Sequence, residues 1–127
     1  MATSTQVMFD CGKVQIPDAV VSSLFEAFTT AMSRDNAVYA SIGAHCRVAF
    51  TQYAVVMLCV RKTTDEKKTT SETYIDITIY ADEYRAVYTA VETLNRAIMS
   101  KLREFNLAGD CRLVFKGTQS NFIDWCC

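Results

Sequence analysis

His45 and Cys46 are the first residues to weigh for chemistry, because an imidazole beside a thiol can activate a nucleophile. His45 is the only histidine in the chain. Neighbours on a strand point to opposite faces, so the pair meets only if the backbone bends there. No G-x-S-x-G elbow offers a serine nucleophile instead. A zinc site would need His45 and Cys46 joined by Cys11, Cys59, Cys111 or Cys126, and neither C-x-x-C nor H-x-x-x-H spacing occurs. Gly12, Gly43, Gly109 and Gly117 stand far apart and form no G-x-G or G-K-[ST] phosphate cradle. The expectation is a non-enzymatic protein with no cofactor, no metal and no evident small-molecule substrate.

The basic residues are the remaining hint of a ligand. Arg61, Lys62, Lys67 and Lys68 cluster in and beside a stretch without apolar residues, 62–72, and Arg47 falls near them on a predicted sheet. Tyr53, Tyr74 and Tyr80 are candidates for an uncovered sheet face. Rings on a sheet with cations at its rim can stack bases and meet phosphates. The candidate nucleic-acid-binding set is thus Arg47, Arg61, Lys62, Lys67 and Lys68 for phosphate, with Tyr74 and Tyr80 for stacking. Asp65, Glu66, Glu72 and Asp76 are interspersed among them and dilute the field.

Two helices and a sheet must position these groups. Residues 82–105 place Tyr84, Val87, Tyr88, Val91, Leu94, Ile98, Leu102 and Phe105 on one helical stripe. Asp82 is expected to cap this helix, and Gly109 to end it in a left-handed conformation. Ala86, Ala90 and Ala97 flank the stripe and mark a close helix contact, made either by the other helix of the chain or by a second subunit. They are the candidate oligomer interface. A first helix begins at Pro17 and carries Val21, Leu24, Phe25, Phe28 and Met32 on one face. It ends in the polar cluster at 33–36.

Strands are expected at 37–42, from 46 to about 50, at 53–61, at 73–80 and at 111–116, with 5–16 a short strand or an irregular edge. In residues 73–80, Ile75, Ile77 and Ile79 alternate with Tyr74, Asp76, Thr78 and Tyr80. The predicted fold is α+β, an antiparallel sheet of four to five strands with both helices on one face, in the order β-α-β-β-β-α-β.

Composition fits one globular domain over residues 1–127, with 118–127 a flexible tail. Half the residues are apolar and the net charge is −1. No apolar run is long enough to span a bilayer and no signal peptide is visible, so a cytoplasmic or nuclear location and reduced thiols are expected. The Cys126-Cys127 pair resembles the lipid-acceptor tails of small vesicle-traffic GTPases, but no GTPase loop accompanies it.

Residues 47–102, with antiparallel strands, a charged hairpin and a long helix, resemble in outline the transcription-coactivator domain that binds single-stranded DNA as a dimer. Residues 20–102 resemble in outline the small Alu-RNA-binding subunits of the signal recognition particle. The order is also near that of the ferredoxin-like RNA-recognition module, whose aromatic K-G-F-x-F run is missing here. These resemblances imply a homodimer or larger homo-oligomer that binds single-stranded or structured nucleic acid on an open sheet face. The near-neutral charge and apolar content support an alternative: a structural, assembly or adaptor subunit, viral among its options, that binds protein.

Overall fold

The computed structural model describes residues 3–33, 36–64 and 71–119. Its strands are β1 (Thr3–Asp10), β2 (Val38–Ser41), β3 (Cys46–Phe50), β4 (Ala54–Thr64), β5 (Ser71–Ala81) and β6 (Arg112–Gln119). The helices are α1 (Asp18–Met32) and α2 (Tyr84–Glu104). All strand pairs are antiparallel, in the order β2-β3-β4-β5-β1-β6.

The α+β class is as the sequence predicts, but the sheet has six strands rather than four or five. Gly43, at φ 81°, turns the chain between β2 and β3. Thr51 makes the next turn: its hydroxyl accepts from the Tyr53 and Ala54 amides. The two turns leave four strands between the helices. The largest difference is β1, expected as a short strand or irregular edge. It lies inside the sheet, with β5 on one side and β6 on the other.

Register and alternation fix the two faces of the sheet. Val7 and Phe9 stand opposite Ile77 and Ile75, while Val56, Leu58 and Val60 stand opposite Ile79, Ile77 and Ile75. These side chains are buried under the helices with Leu24, Phe28, Leu94, Ile98 and Leu102. Such burial contributes roughly 1.5–3 kcal/mol for each large side chain.

Both helices carry the predicted apolar stripes, with corrections at their ends. Pro17 is the N-cap of α1 rather than its first residue. Helix α2 starts at Tyr84 after Glu83, and no side chain caps it, so Asp82 does not play that part. Asn106 replaces Gly109 as the left-handed terminator, at φ 60°. The amides of Asn106 and Leu107 donate to the Arg103 and Leu102 carbonyls, closing the last turn. Tyr84, Tyr88 and Phe105 share the stripe but are exposed.

Strands β4 and β5 run on to Thr64 and from Ser71, which shortens the predicted loop at 62–72. Lys67 and Lys68 lie outside the described residues, as do Cys126 and Cys127. The cysteines differ from the expected free thiols: Cys11 is paired with Cys111 and Cys46 with Cys59. The second pair bridges directly opposed positions on β3 and β4. No described helix is long and apolar enough to cross a membrane.

Candidate functional site

The face of the sheet away from the helices carries the most distinctive surface. Alternation places Tyr74, Asp76, Thr78 and Tyr80 of β5 there. Across the ladders stand Arg61, Cys59, Met57 and Val55 on β4, and Asp10, Met8, Gln6 and Ser4 on β1. Val48 and Phe50 of β3, Val38 of β2 and Val114 of β6 extend the same face.

Its two ends differ in chemistry. Toward the Ser71 end of β5 the charges are already matched. Arg61 Nε donates to Asp76 Oδ2 at 2.8 Å, and its guanidinium lies 5.0 Å from the centroid of the Tyr74 ring. The Tyr74 hydroxyl donates to the Glu72 carboxylate. That bond holds the Tyr74 phenol above its ordinary pKa, helped by burial and by the negative charges of Glu72 and Asp10; Arg61 opposes the shift. Asp76 Oδ1 is buried with no hydrogen-bond partner.

Toward the other end the face is apolar. Val38 is 67% exposed and Phe50 48% exposed, and both flank the buried Val48. Val55, Met57 and Val114 are half-buried, and Met8 is buried between its neighbours. The belt crosses β2, β3 and β4 through Val38, Phe50, Val55, Val48 and Met57; on β5 it meets Tyr80 and Thr78, and Met8 with Val114 forms a separate apolar pair opposite Asp76. Exposed apolar side chains side by side, as at Val38 and Phe50, are a feature of interaction sites.

The structure divides the predicted nucleic-acid set. Arg61, Tyr74 and Tyr80 share the uncovered face. Arg47 is on the opposite face, because its parity on β3 matches Ala49 of the core. Its guanidinium lies 4.4 Å from the centroid of the Phe25 ring and donates to the Gly43 and Cys46 carbonyls. Lys62 also falls on the helix side, beside Ile16, Asp18, Val21 and His45. Five predicted cations therefore leave one, Arg61, placed beside the tyrosines among the described residues.

The predicted interface alanines line the channel between α1 and α2. Ala86 and Ala90 border a hollow of about 330 Å³ with Ala31, Met32, Tyr53 and Glu83. Ala97 borders a second hollow with Ala27, Ala31 and Arg96. Their nearest helix is α1 of the same chain.

For catalysis, the geometry at His45 and Cys46 is unhelpful. Cys46 is bonded to Cys59, and the exposed His45 sits in the turn before β3. Among the described residues no three His, Cys, Asp or Glu side chains are placed to hold a metal ion.

The sequence reading missed the apolar belt. Its signal was present in residues 54–60 (AVVMLCV), where apolar residues occupy both parities of the strand. Such a run must put half its apolar side chains away from the helices.

No family model matches the chain, and no curated protein matches it. Solved structures do show similar folds. A crystal structure of AtUAH with (S)-hydroxyglycine aligns at TM-score 0.50 and 10% identity, over 93% of this chain and 27% of that one. The same protein with glyoxylate aligns at TM-score 0.49, also at 10% identity and over the same shares. Bacillus subtilis YXEP, described as a dinuclear metal binding peptidase from the M20 family, aligns at TM-score 0.41 and 13% identity, over 91% of this chain and 24% of that one. The chain spans about a quarter of the length of these proteins. At such identities the likeness is one of fold alone.

Proposed function

We propose that this is a non-enzymatic assembly module, and that the uncovered sheet face binds protein, a second copy of the chain first. One observation carries the reading: the Val38–Phe50–Val55 row and the neighbouring Val48–Met57 row form an apolar belt across β2, β3 and β4, while Arg61 and Asp76 beside it pair with each other. Two sheets pack face to face at about 10 Å when their inner side chains interdigitate. The alternation of small Ala40 and Thr78 with larger Phe50 and Met57 leaves relief for that fit.

Size-exclusion chromatography with light scattering tests the reading, with absorbance recorded at protein and nucleic-acid wavelengths. The expected result is a discrete oligomer free of nucleic acid, converted to monomer by Phe50→Asp. A wild-type monomer at the highest attainable concentration would overturn it.

Arg61 over the Tyr74 ring supports a second reading, in which the same face binds single-stranded nucleic acid. Arg112 adds another exposed cation there, opposite Asp10. A nucleic-acid-loaded peak that salt strips, and that Arg61→Glu with Arg112→Glu abolishes, would favour this reading over protein assembly.

A further inference from the structure

The two disulfides occupy different settings. Cys11 and Cys111 are 1% and 6% exposed, inside the core that the helices cover. Their bond joins the residue after β1 to the residue before β6 across 100 positions, and a cross-link that closes a long loop constrains the unfolded chain most. Cys46 and Cys59 are half-buried on the uncovered face, one rung beyond Val48 and Met57. Their bond spans only 13 positions and joins strands that the ladder already pairs. Around it, the Val60 amide donates to the His45 carbonyl at 2.9 Å and the Ile42 amide to the Cys46 carbonyl at 3.1 Å. These bonds hold β3 to both neighbours whether or not the sulfurs are joined.

We propose that Cys46–Cys59 is a thiol–disulfide exchange site, which takes two electrons from an external dithiol while Cys11–Cys111 stays intact. Two features of its surroundings carry the assignment. The first is an acceptor without a donor. Cys59 stands directly opposite Asp76 on β5, and Asp76 Oδ1 is buried with no hydrogen-bond partner. Side chains opposed in this way have Cβ atoms about 4.5–5.5 Å apart. A disulfide sulfur has no proton to give, whereas a Cys59 thiol is a donor. Reduction therefore supplies the partner that the buried oxygen lacks.

The second is unequal access to the two sulfurs. A thiolate attacks a disulfide in line with the S–S bond. In that line, approach to Cys59 passes over Asp76, whose negative charge repels a thiolate. Approach to Cys46 passes over Ile42, which is 59% exposed, beside the exposed turn at 42–45. The first thiolate of the dithiol thus bonds to Cys46 Sγ, and the electron pair of the broken bond leaves on Cys59 Sγ, which takes a proton from water. The second thiolate of the dithiol then attacks the reagent's own sulfur in the mixed disulfide. Cys46 leaves as a thiolate and is protonated, and the reagent departs oxidised to its disulfide.

The experiment treats the native protein with dithiothreitol, quenches with acid at intervals, alkylates the free thiols and maps them by mass spectrometry, which separates this pair from Cys126 and Cys127. It is run at high dilution and repeated in Phe50→Asp, so that covering of the face by a second copy does not enter. Failure of the assembly reading therefore leaves the expected rates unchanged. Cys46 and Cys59 should appear as thiols at least about tenfold faster than Cys11 and Cys111, with a cooperative melting curve retained. With glutathione, a monothiol, the mixed disulfide should map to Cys46. In dithiothreitol buffers, Asp76→Val should shift the equilibrium of this pair toward the disulfide by about threefold, because the thiol loses its acceptor; a ladder that is merely loosened would shift it toward the thiols.

Equal rates for the two disulfides, or reduction of Cys46–Cys59 only where the protein unfolds, would overturn the proposal. An unchanged or thiol-ward equilibrium in Asp76→Val would overturn the role given to Asp76, and a glutathione adduct at Cys59 would overturn the direction of attack.

Discussion

Arg61→Met should destabilise the protein by about 1–2 kcal/mol, and removing its partner as well should recover most of that loss. The Arg61 side chain is 50% exposed and Asp76 only 14% exposed, so the two halves of the pair are unequal. A hydrogen bond to a charged group contributes about 1.5–3 kcal/mol when sheltered. Half-exposure of the guanidinium lowers that to about 1 kcal/mol. The contact with the Tyr74 ring adds about 0.5 kcal/mol.

The loss falls mainly on Asp76, whose Oδ1 already lacks a partner and whose Oδ2 would then lose its own. For a domain of this size the expected fall in Tm is about 3–6 °C. Asp76→Val should cost less than Arg61→Met, because the freed arginine can turn to water while a β-branched side chain suits the strand. The double variant should then lie above Arg61→Met by about 1 kcal/mol. Urea and thermal unfolding of the four proteins supply the cycle. Equal losses for both single variants, or additive losses in the double, would refute the asymmetry of burial on which the reasoning rests.

Leu94→Ala, at an α2 residue with no exposed surface, should cost about 3–5 kcal/mol in urea unfolding. Thiol titration in denaturant without reductant should find four fewer free thiols than after reduction, because Cys11–Cys111 and Cys46–Cys59 are paired; six free thiols would contradict both pairings. The raised Tyr74 pKa should appear as phenolate absorbance that develops later in a pH titration than in Glu72→Gln, because the variant removes the bonded carboxylate and its charge. The sign for stability follows: the neutral phenol is favoured in the folded state, so its contribution is full below about pH 10 and is lost as pH rises through the folded value.

Much of the architecture was legible because it rests on periodicity. The isoleucines at 75, 77 and 79 announced a strand with one buried face, and the α2 stripe announced its buried contacts at Val87, Leu94, Ile98 and Leu102. Local chemistry was less decisive. Asn106 rather than Gly109 ended α2, since a left-handed residue is needed within two positions of the last turn and asparagine tolerates it. The face occupied by Arg47 was not fixed by alternation, because Val48 and Ala49 of β3 are both apolar and either parity could have faced the helices; the register puts Arg47 with Ala49. The disulfide partners were not legible at all. Cys11 and Cys111 are 100 positions apart, and only the placement of β1 beside β6 brings them together.

That placement of β1 also constrains how the chain acquires its structure. The neighbours of β1 are β5 and β6, so Phe9 finds Ile75 and Leu113 only after most of the chain is available. The β2-β3-β4-β5 meander can pair locally as it emerges, but the slot beside β5 stays open until the first strand returns to fill it. Such remote pairing raises contact order and slows folding. During synthesis Val7 and Phe9 wait exposed, and the edge of β5 waits with them, which makes the half-made chain vulnerable to capture by another copy. A synthetic peptide matching Thr3–Asp10 should compete for that slot during refolding and lower the yield of native protein, an effect that should vanish when it is added after folding is complete.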